Sequence, residues 1–281
     1  MQRFLLGKPV TLSLAPCDDD GAPIPLDAGG TVSITDGAGV EVDSGDAALS
    51  EGGLTLSYEV TPAAIVVLDS YRATWPTADV SDFEVCGGYL FDLGALRSYN
   101  EVLADSGQFP ADALKATRVA VEQRFEEKCG VAFVPRGARA RLVGDCTDVL
   151  ILPRLELTEV YAVTVDGVAL TDDELSQLRL DRCGTLTRVV HSCVPPLWRP
   201  RSVIDVHFVH GYLRPPAPVS GAAVIYAGEN LLPNVLPRRA TTQSSGDMTF
   251  RITVAGRDGE TGIPDVDSVL ERYSRLLPAV G

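Results

Sequence analysis

The usual signatures of enzymatic chemistry are missing from this chain of 281 residues. It has no Gly-x-Ser-x-Gly elbow, no phosphate-cradling Gly-x₄-Gly-Lys-[Ser/Thr], no His-Glu-x-x-His and no Gly-x-Gly-x-x-Gly after a strand. Those absences remove the common hydrolase, nucleotide-binding, metalloprotease and dinucleotide-binding classes. Histidine is scarce, with only His191, His207 and His210. The six cysteines (17, 86, 129, 146, 183 and 193) form no Cys-x-x-Cys and no dense framework, so buried thiols in a reducing compartment are expected. Cys183 and Cys193 flank an expected hairpin and could lie close enough for a disulfide, though buried free thiols are the expectation. No run of about 18 apolar residues occurs, so no membrane-spanning helix is expected. The N-terminus lacks the apolar core of a signal peptide, which predicts synthesis in the cytoplasm.

Lysine is also rare: Lys8, Lys115 and Lys128 are the only three among 24 basic residues, and the rest are arginines. Arginine suits planar, bidentate contacts at interfaces and is equally what a GC-rich genome encodes. The chain is 45% hydrophobic, enough for a real core, and its length allows one to three domains. Net charge is −14 and unevenly spread, since residues 1–85 hold 14 Asp/Glu against 3 Lys/Arg. That part should repel nucleic acid and acidic surfaces.

Residues 7–76 read as all-β. Alternation marks Val10–Leu14 and residues 31–35, 40–42, 54–60 and 70–75, with Asp36-Gly37 as a turn and residues 62–68 as a short helical or extended crossover. This spacing suggests a small immunoglobulin-like sandwich without the antibody disulfide. Asp18-Asp19-Asp20-Gly21 lacks the later Glu of a calcium loop and reads as a hairpin turn.

Residues 76–88 read as a linker and crossover strand. A helix over 92–104 follows, with Asp92 as N-cap. The strongest helix covers 110–129, with Pro110 at its first position, Leu114, Val121 and Phe125 on an apolar face joined by Ala113, Ala116 and Ala120, and Gly130 as the stop. Arg118, Glu122, Arg124, Glu126, Glu127 and Lys128 are expected on its outer face. Residues 131–210 turn β-rich, with strands at 148–152, 160–165, 168–170, 184–190 and 202–209 and an Asp166-Gly167 hairpin. A helix rich in small residues is expected over 218–232, then a loop over 233–262. The expected fold class is α+β: an acidic β-sandwich (1–78), a domain of helices and antiparallel strands (79–262) and a helical arm (263–281).

The arm carries an apolar stripe of Val266, Val269, Leu270, Tyr273 and Leu277, with Ile263 at its start. Pro264, Asp265 and Asp267 suit the first turn, Arg272 and Arg275 the last, and Glu271–Arg275 forms an i,i+4 pair. A helix this short is marginal alone, so the stripe needs a partner surface, either its own core or another chain.

Other polar candidates are few. His191, His207, His210 and Cys193 could in principle supply four zinc ligands, although 207 and 210 point to opposite faces of a strand. No metal or cofactor is expected. Trp198 beside Arg199 and Arg201 could stack a base or an arginine, or anchor a loop. Arg238 and Arg239 are the best candidates for touching a DNA backbone or a neighbouring subunit.

From about Leu90 to Arg275 an ordered series of segments is similar to the head-to-tail adaptor (connector) proteins of tailed bacteriophages. The long helix ends Glu127-Lys128-Cys129-Gly130-Val131-Ala132-Phe133-Val134-Pro135-Arg136, which resembles the family's helix–Gly-x-x-Phe-x-Pro-Arg junction. Gly144, the strand to Leu152 and Pro153, Val160 to Gly167 and Leu186-Thr187-Arg188 before Trp198 follow in order. Val206-His207-Phe208-Val209-His210-Gly211-Tyr212, leading to Pro215-Pro216, looks like the family's Val-x-Tyr-x-His-Gly run, with Phe208 where Tyr is commoner. Gly262 to Tyr273 resembles adaptor C-termini. The N-terminal β region departs from the shorter adaptors and resembles immunoglobulin-like domains that phages attach to virion proteins.

The resemblance implies a structural, non-enzymatic virion protein in the neck, assembled in the host cytoplasm. It implies a homo-oligomeric ring, commonly of twelve copies, below the portal protein and above stopper or tail proteins. Genomic DNA would pass through the lumen without sequence-specific binding, and no membrane is involved. It also places the helical stripe, Ile263 to Leu277, on the portal; the acidic charge and sandwich-like pattern of the N-terminal region predict that it lies away from the channel. Two other readings stand beside it: a secreted or surface immunoglobulin-like binding module, and a metalloenzyme built on the three histidines.

Overall fold

The structure, a computed structural model, describes residues 1–189, 197–232 and 261–275, together with the backbone of two strands between them. In chain order the strands are β1 (Gln2–Leu5), β2 (Val10–Leu14), β3 (Gly30–Thr35), β4 (Glu41–Leu49), β5 (Leu56–Val60), β6 (Asp69–Thr74) and β7 (Val80–Cys86). Then come α1 (Leu93–Tyr99), a 3₁₀ turn (Glu101–Ala104), α2 (Ala111–Cys129), β8 (Arg136–Val143), β9 (Val149–Ile151), β10 (Leu157–Val165) and β11 (Val168–Ala169). The last elements are α3 (Asp172–Ser176), β12 (Leu178–Leu180), β13 (Thr185–Arg188), β14 (Val203–His210), α4 (Ala217–Leu231), β15 (Thr242–Ser245), β16 (Met248–Arg251) and α5 (Pro264–Tyr273). The protein is α+β, and its strand pairs are mostly antiparallel.

Two compact units emerge. The first joins Met1–Gly88 to Pro135–Leu152 and Leu157–His210; the second joins Tyr89–Val134, Pro153–Glu156 and Gly211–Gly281. In the first unit one sheet runs β11-β10-β14-β8-β7-β6-β3-β4-β5-β2, with β1 added to β7 in parallel. β4 pairs with β3 through most of its length and with β5 only at Ala48 and Leu49, so it passes the sheet from one layer to the next. Val10, Leu12, Leu56 and Val60 from one layer meet Val32, Ile34, Tyr71 and Phe83 from the other in one core. A second core, around Leu150, Trp198, Ile204, Val206 and Phe208, lies under β8, β10 and β14.

Several local expectations change. β8 was not expected as a strand. Its inward residues Ala138, Ala140 and Leu142 pack on the second core, while Arg139 and Arg141 alternate outward and find carboxylates. The helix expected over 92–104 breaks at Asn100, whose side chain accepts from the Val102 amide at 3.0 Å and restarts the chain as 3₁₀. Residues 62–68 form a turn and extended chain. The Asp166-Gly167 hairpin stands as expected, with both residues at positive φ (51° and 80°). Asp18 closes its turn by accepting from the amides of Asp20 and Ala22 at 3.0 and 2.8 Å.

The second unit holds α1, α2, α4 and α5 around Leu96, Leu114, Val121, Phe125, Val219 and Ala223. Gly228 lets α4 approach Tyr99, since a Cβ there would lie 2.2 Å from the ring. The two faces of α2 are corrected. Ala113, Ala116 and Ala120 are exposed, whereas Arg118 and Glu122 are buried. Glu122 accepts the Leu90 amide at 2.7 Å, and the Arg118 guanidinium lies 3.3 Å over the Tyr89 ring. Charge can be buried here because each group meets a dipole or a π face.

Candidate functional site

The C-terminal helix finds its partner within its own unit. Val266 and Leu270 are 0% and 1% exposed inside the core with Leu114, Phe125 and Val219, and Ile263, Val269 and Tyr273 pack against that core. In this conformation the stripe takes the own-core alternative, and docking it on another chain would first require uncovering these side chains. Leu277 lies outside the described residues. Both ends of α5 are fastened. At its start, the Thr261 amide and hydroxyl donate to Asp267 Oδ1 at 2.8 and 2.9 Å. At its end, Arg275 donates through its backbone to Cys129 O (2.9 Å) and through its guanidinium to Glu156 Oε1 (2.7 Å) and the Tyr212 hydroxyl (3.0 Å). The helix stops at Tyr273, so Arg275 leaves the helical surface and pairs with Glu156 in place of Glu271.

Around that anchor three distant segments converge. The Tyr212 amide donates to Ala132 O at 3.1 Å, and the Gly211 amide to Glu156 O at 2.9 Å. Phe133 stacks on Tyr212 (5.8 Å) and meets Tyr273 edge-on (6.1 Å). Gly211 has φ +97°, and a Cβ there would sit 2.3 Å from Val134 O, so only glycine fits. Between this anchored pair and Pro215-Pro216 the chain presents Leu213, 75% exposed, and Arg214. Sequence reasoning passed over that tip, because a single leucine in a loop carries no periodic signal.

In the first unit the notable polar cluster lies across β6, β8 and β14. Asp69, 3% exposed, accepts from Arg139 Nε and Nη2 at 2.9 and 2.7 Å; Arg139 also reaches Asp36 at 2.9 Å. His207 Nε2 lies 3.3 Å from Leu68 O and 3.6 Å from Asp69. Burial, then the Arg139 charge, lowers the His207 pKa below its ordinary value, so the ring is neutral at pH 7 and its Nε2–H donates to the carbonyl. Burial beside Asp69 likewise raises the Tyr71 phenol. A second buried knot holds Glu84 between Arg3 (2.9 Å) and Arg136 (2.6 Å). An open groove of about 330 Å³ follows the exposed face beside Arg139, Arg141, Thr164 and His207. Another, of about 250 Å³, has Leu12 and Phe83 for its floor and Gln2, Ser13, Ser81 and Asp82 at its rim.

This polar machinery is spent on structure. His207 donates to backbone, and Arg139 is held by two carboxylates. His210 is buried on β14, opposite Arg136 in the strand register. Among the described residues no group of three or more His, Cys, Asp and Glu could hold a metal. His191, Cys193, Arg238 and Arg239 lie outside the described residues. Trp198 is fully buried: its indole donates to Asp148 O at 3.2 Å and Arg188 stacks on it at 4.6 Å, the loop-anchoring alternative. No described helix is long and apolar enough to cross a membrane.

No protein-family model matches the chain, and no curated protein matches its sequence. Among solved structures, a chain from the neck of an empty GTA particle aligns at 17% identity and a TM-score of 0.42, covering 67% of this chain and 92% of that one. A chain from the virion of a native gene transfer agent particle aligns at 16% identity and 0.40, covering 60% and 80%. A mouse leukocyte-associated immunoglobulin-like receptor ectodomain aligns at 13% identity and 0.21, covering 31% and 80%. These TM-scores are too low to establish a shared fold.

Proposed function

We propose that this chain is a structural virion protein of the head–tail junction, an adaptor that forms a ring below the portal and continues the DNA channel toward the tail. One observation carries the reading. The segments that resemble the adaptor family, 129–136, 206–216 and 262–275, are far apart in sequence, yet in the second unit Cys129, Ala132, Phe133, Tyr212, Tyr273 and Arg275 form one packed and hydrogen-bonded cluster. Motifs that matched by chance would have no reason to meet. The net charge of −14 suits a lumen that lets DNA slide, since the chain as a whole repels phosphates.

In this reading residues 1–78 are an added immunoglobulin-like layer turned away from the channel, and the arm reaches the portal. With Val266 and Leu270 buried at home, portal docking through the stripe requires α5 to leave its seat. Deleting residues 263–281 therefore tests folding as much as binding. The cleaner experiment is native mass spectrometry of the full chain with and without purified portal assemblies, followed by electron microscopy of the product. A closed ring of this protein seated on the portal is the expected result. Failure to bind portal at any ratio, with the protein folded, would sink the reading.

A further inference from the structure

The turn after Trp198 holds an arginine at a position that suits glycine. Arg199 O accepts from the Ser202 amide at 3.2 Å, which closes a β-turn with Pro200 and Arg201 at its centre. Arg201 has φ +64°. Proline at the first central position and a positive φ at the second is the type II arrangement, whose second position favours Gly or Asn. An arginine there gives up stability that glycine would keep, and strain of this kind collects where a side chain has a role beyond folding. The turn is firmly held. Ser202 Oγ donates to Arg199 O at 2.7 Å, the Arg201 amide to Gly144 O at 2.8 Å and the Gly144 amide to Ser202 O at 2.9 Å. Trp198, fully buried, pins the chain just before it.

Arg199 and Arg201 are both exposed, and neither meets a carboxylate among the described residues. Asp145 and Asp166, from the segments bonded to this stretch, are engaged elsewhere. Asp145 Oδ1 accepts from the Thr147 amide and hydroxyl at 3.1 and 2.6 Å, and Asp166 Oδ1 from the Val203 amide at 2.8 Å. Most other arginines of this unit are matched: Arg3 and Arg136 share Glu84, Arg139 holds Asp36 and Asp69, and Arg72 and Arg141 hold Asp82 and Asp205. Val143, Leu197 and Val203 leave exposed apolar surface beside the turn. Two unmatched arginines on a rigid mount with apolar neighbours suit a protein interface, where arginine is enriched and grips carboxylates in bidentate fashion.

The same chain supplies the complement. Residues 1–85 hold 14 acids against 3 bases. Two of these acids, Asp27 and Glu51, are exposed and meet no cation among the described residues. The Leu26 amide, bonded to Gly53 O at 2.7 Å, brings their loops together.

We infer that Arg199 and Arg201 of one copy bind the loops carrying Asp27 and Glu51 of a second copy. The two surfaces are unlike, so the contact is head-to-tail, the kind that builds rings when it closes. A DNA phosphate is the competing anion, and the charge of −14 opposes it. The inference rests on the ring reading above and names a contact that ring would use.

The test uses the full chain as wild type, Arg201→Gly, Arg199→Glu/Arg201→Glu, Asp27→Lys/Glu51→Lys and the combination of all four reversals. Self-association is followed by sedimentation velocity at low and high salt, alone and with portal assemblies. Folding is followed by thermal melting and duplex DNA binding by mobility shift. Arg201→Gly should melt at or above the wild-type temperature and associate about fivefold or more weakly. A lower melting temperature would remove the strain argument. Each double reversal should weaken association further, the four-site protein should regain it, and raised salt should weaken the wild type. If the wild type associates and Arg201→Gly does so equally well, the named contact is wrong while the ring reading stands. If the four-site protein regains nothing, Asp27 and Glu51 are not the receptor and the inference fails. If the wild type binds duplex DNA and the arginine reversal abolishes that binding, the turn meets phosphate and the inference is overturned. A wild type that stays monomeric under every condition removes the ring reading and this inference together.

Discussion

At the scale of single residues, close approach and burial decide most of what can be tested. Gly137 sits where a Cβ would lie 1.8 Å from Leu68 O, a backbone atom that cannot swing aside. Gly137→Ala should cost about 3 kcal/mol, read from the urea midpoint, because β8 must shift away from the chain beside Asp69. His207 supplies a pH dependence. Its folded pKa lies below the ordinary 6.5, so the unfolded chain binds the proton first as pH falls. Stability is complete above about 6.5 and declines as pH drops toward the lowered folded value. His207→Asn should flatten that part of the pH–stability curve. Cys129 is buried and its thiol is pushed up to about 11, whereas Cys17 and Cys146 are exposed. Iodoacetamide at about pH 8 should label Cys17 and Cys146 and spare Cys129 until the protein is unfolded, as peptide mass spectrometry would show.

At the scale of elements, α5 is the clearest case. Leu270→Ala removes a side chain 1% exposed and should lower stability by about 2–5 kcal/mol, measurable by chemical denaturation. A change near zero would mean that α5 is not seated on α2 and α4. This helix also shows how far the sequence could be read. Its stripe, start and acidic first turn are legible in residues 263–273, but a stripe says only that something covers it, never which chain does. α2 shows the opposite limit. Leu114, Val121 and Phe125 mark the core face correctly, while the burial of Arg118 and Glu122 depends on Tyr89 and the Leu90 amide, which no helical periodicity can reveal. β8 escapes a sequence reading because its arginines look like a solvated run until Asp69 and Asp205 arrive from other strands and Asp36 from a turn. The hairpins and the alternating strands of the N-terminal layers, being local, were readable. The Leu213 tip was not, since its rigidity is assembled from Phe133, Val134 and Arg275.

At the scale of the whole molecule, charge and topology dominate. With a formal charge of −14, the protein should not retain duplex DNA in a mobility-shift assay even at low salt. A salt-sensitive shift would contradict a channel through which DNA slides. The order of strands in the first unit has a further consequence, for synthesis. β1 pairs with β7, some eighty residues later, and β8 takes β14 as its neighbour, more than sixty residues on. In the second unit α2 is closed by α5, near the end of the described chain. Contacts this distant in sequence form slowly, and strands that emerge early must wait for their partners. On the ribosome, β8 would stand with an open edge until residue 210 has cleared the exit tunnel, and the helical core of the second unit would lack its α5 cover until residue 270 has done so. A stalled or truncated chain is therefore an incomplete sheet with an exposed core, and chaperones are the first surfaces it would meet.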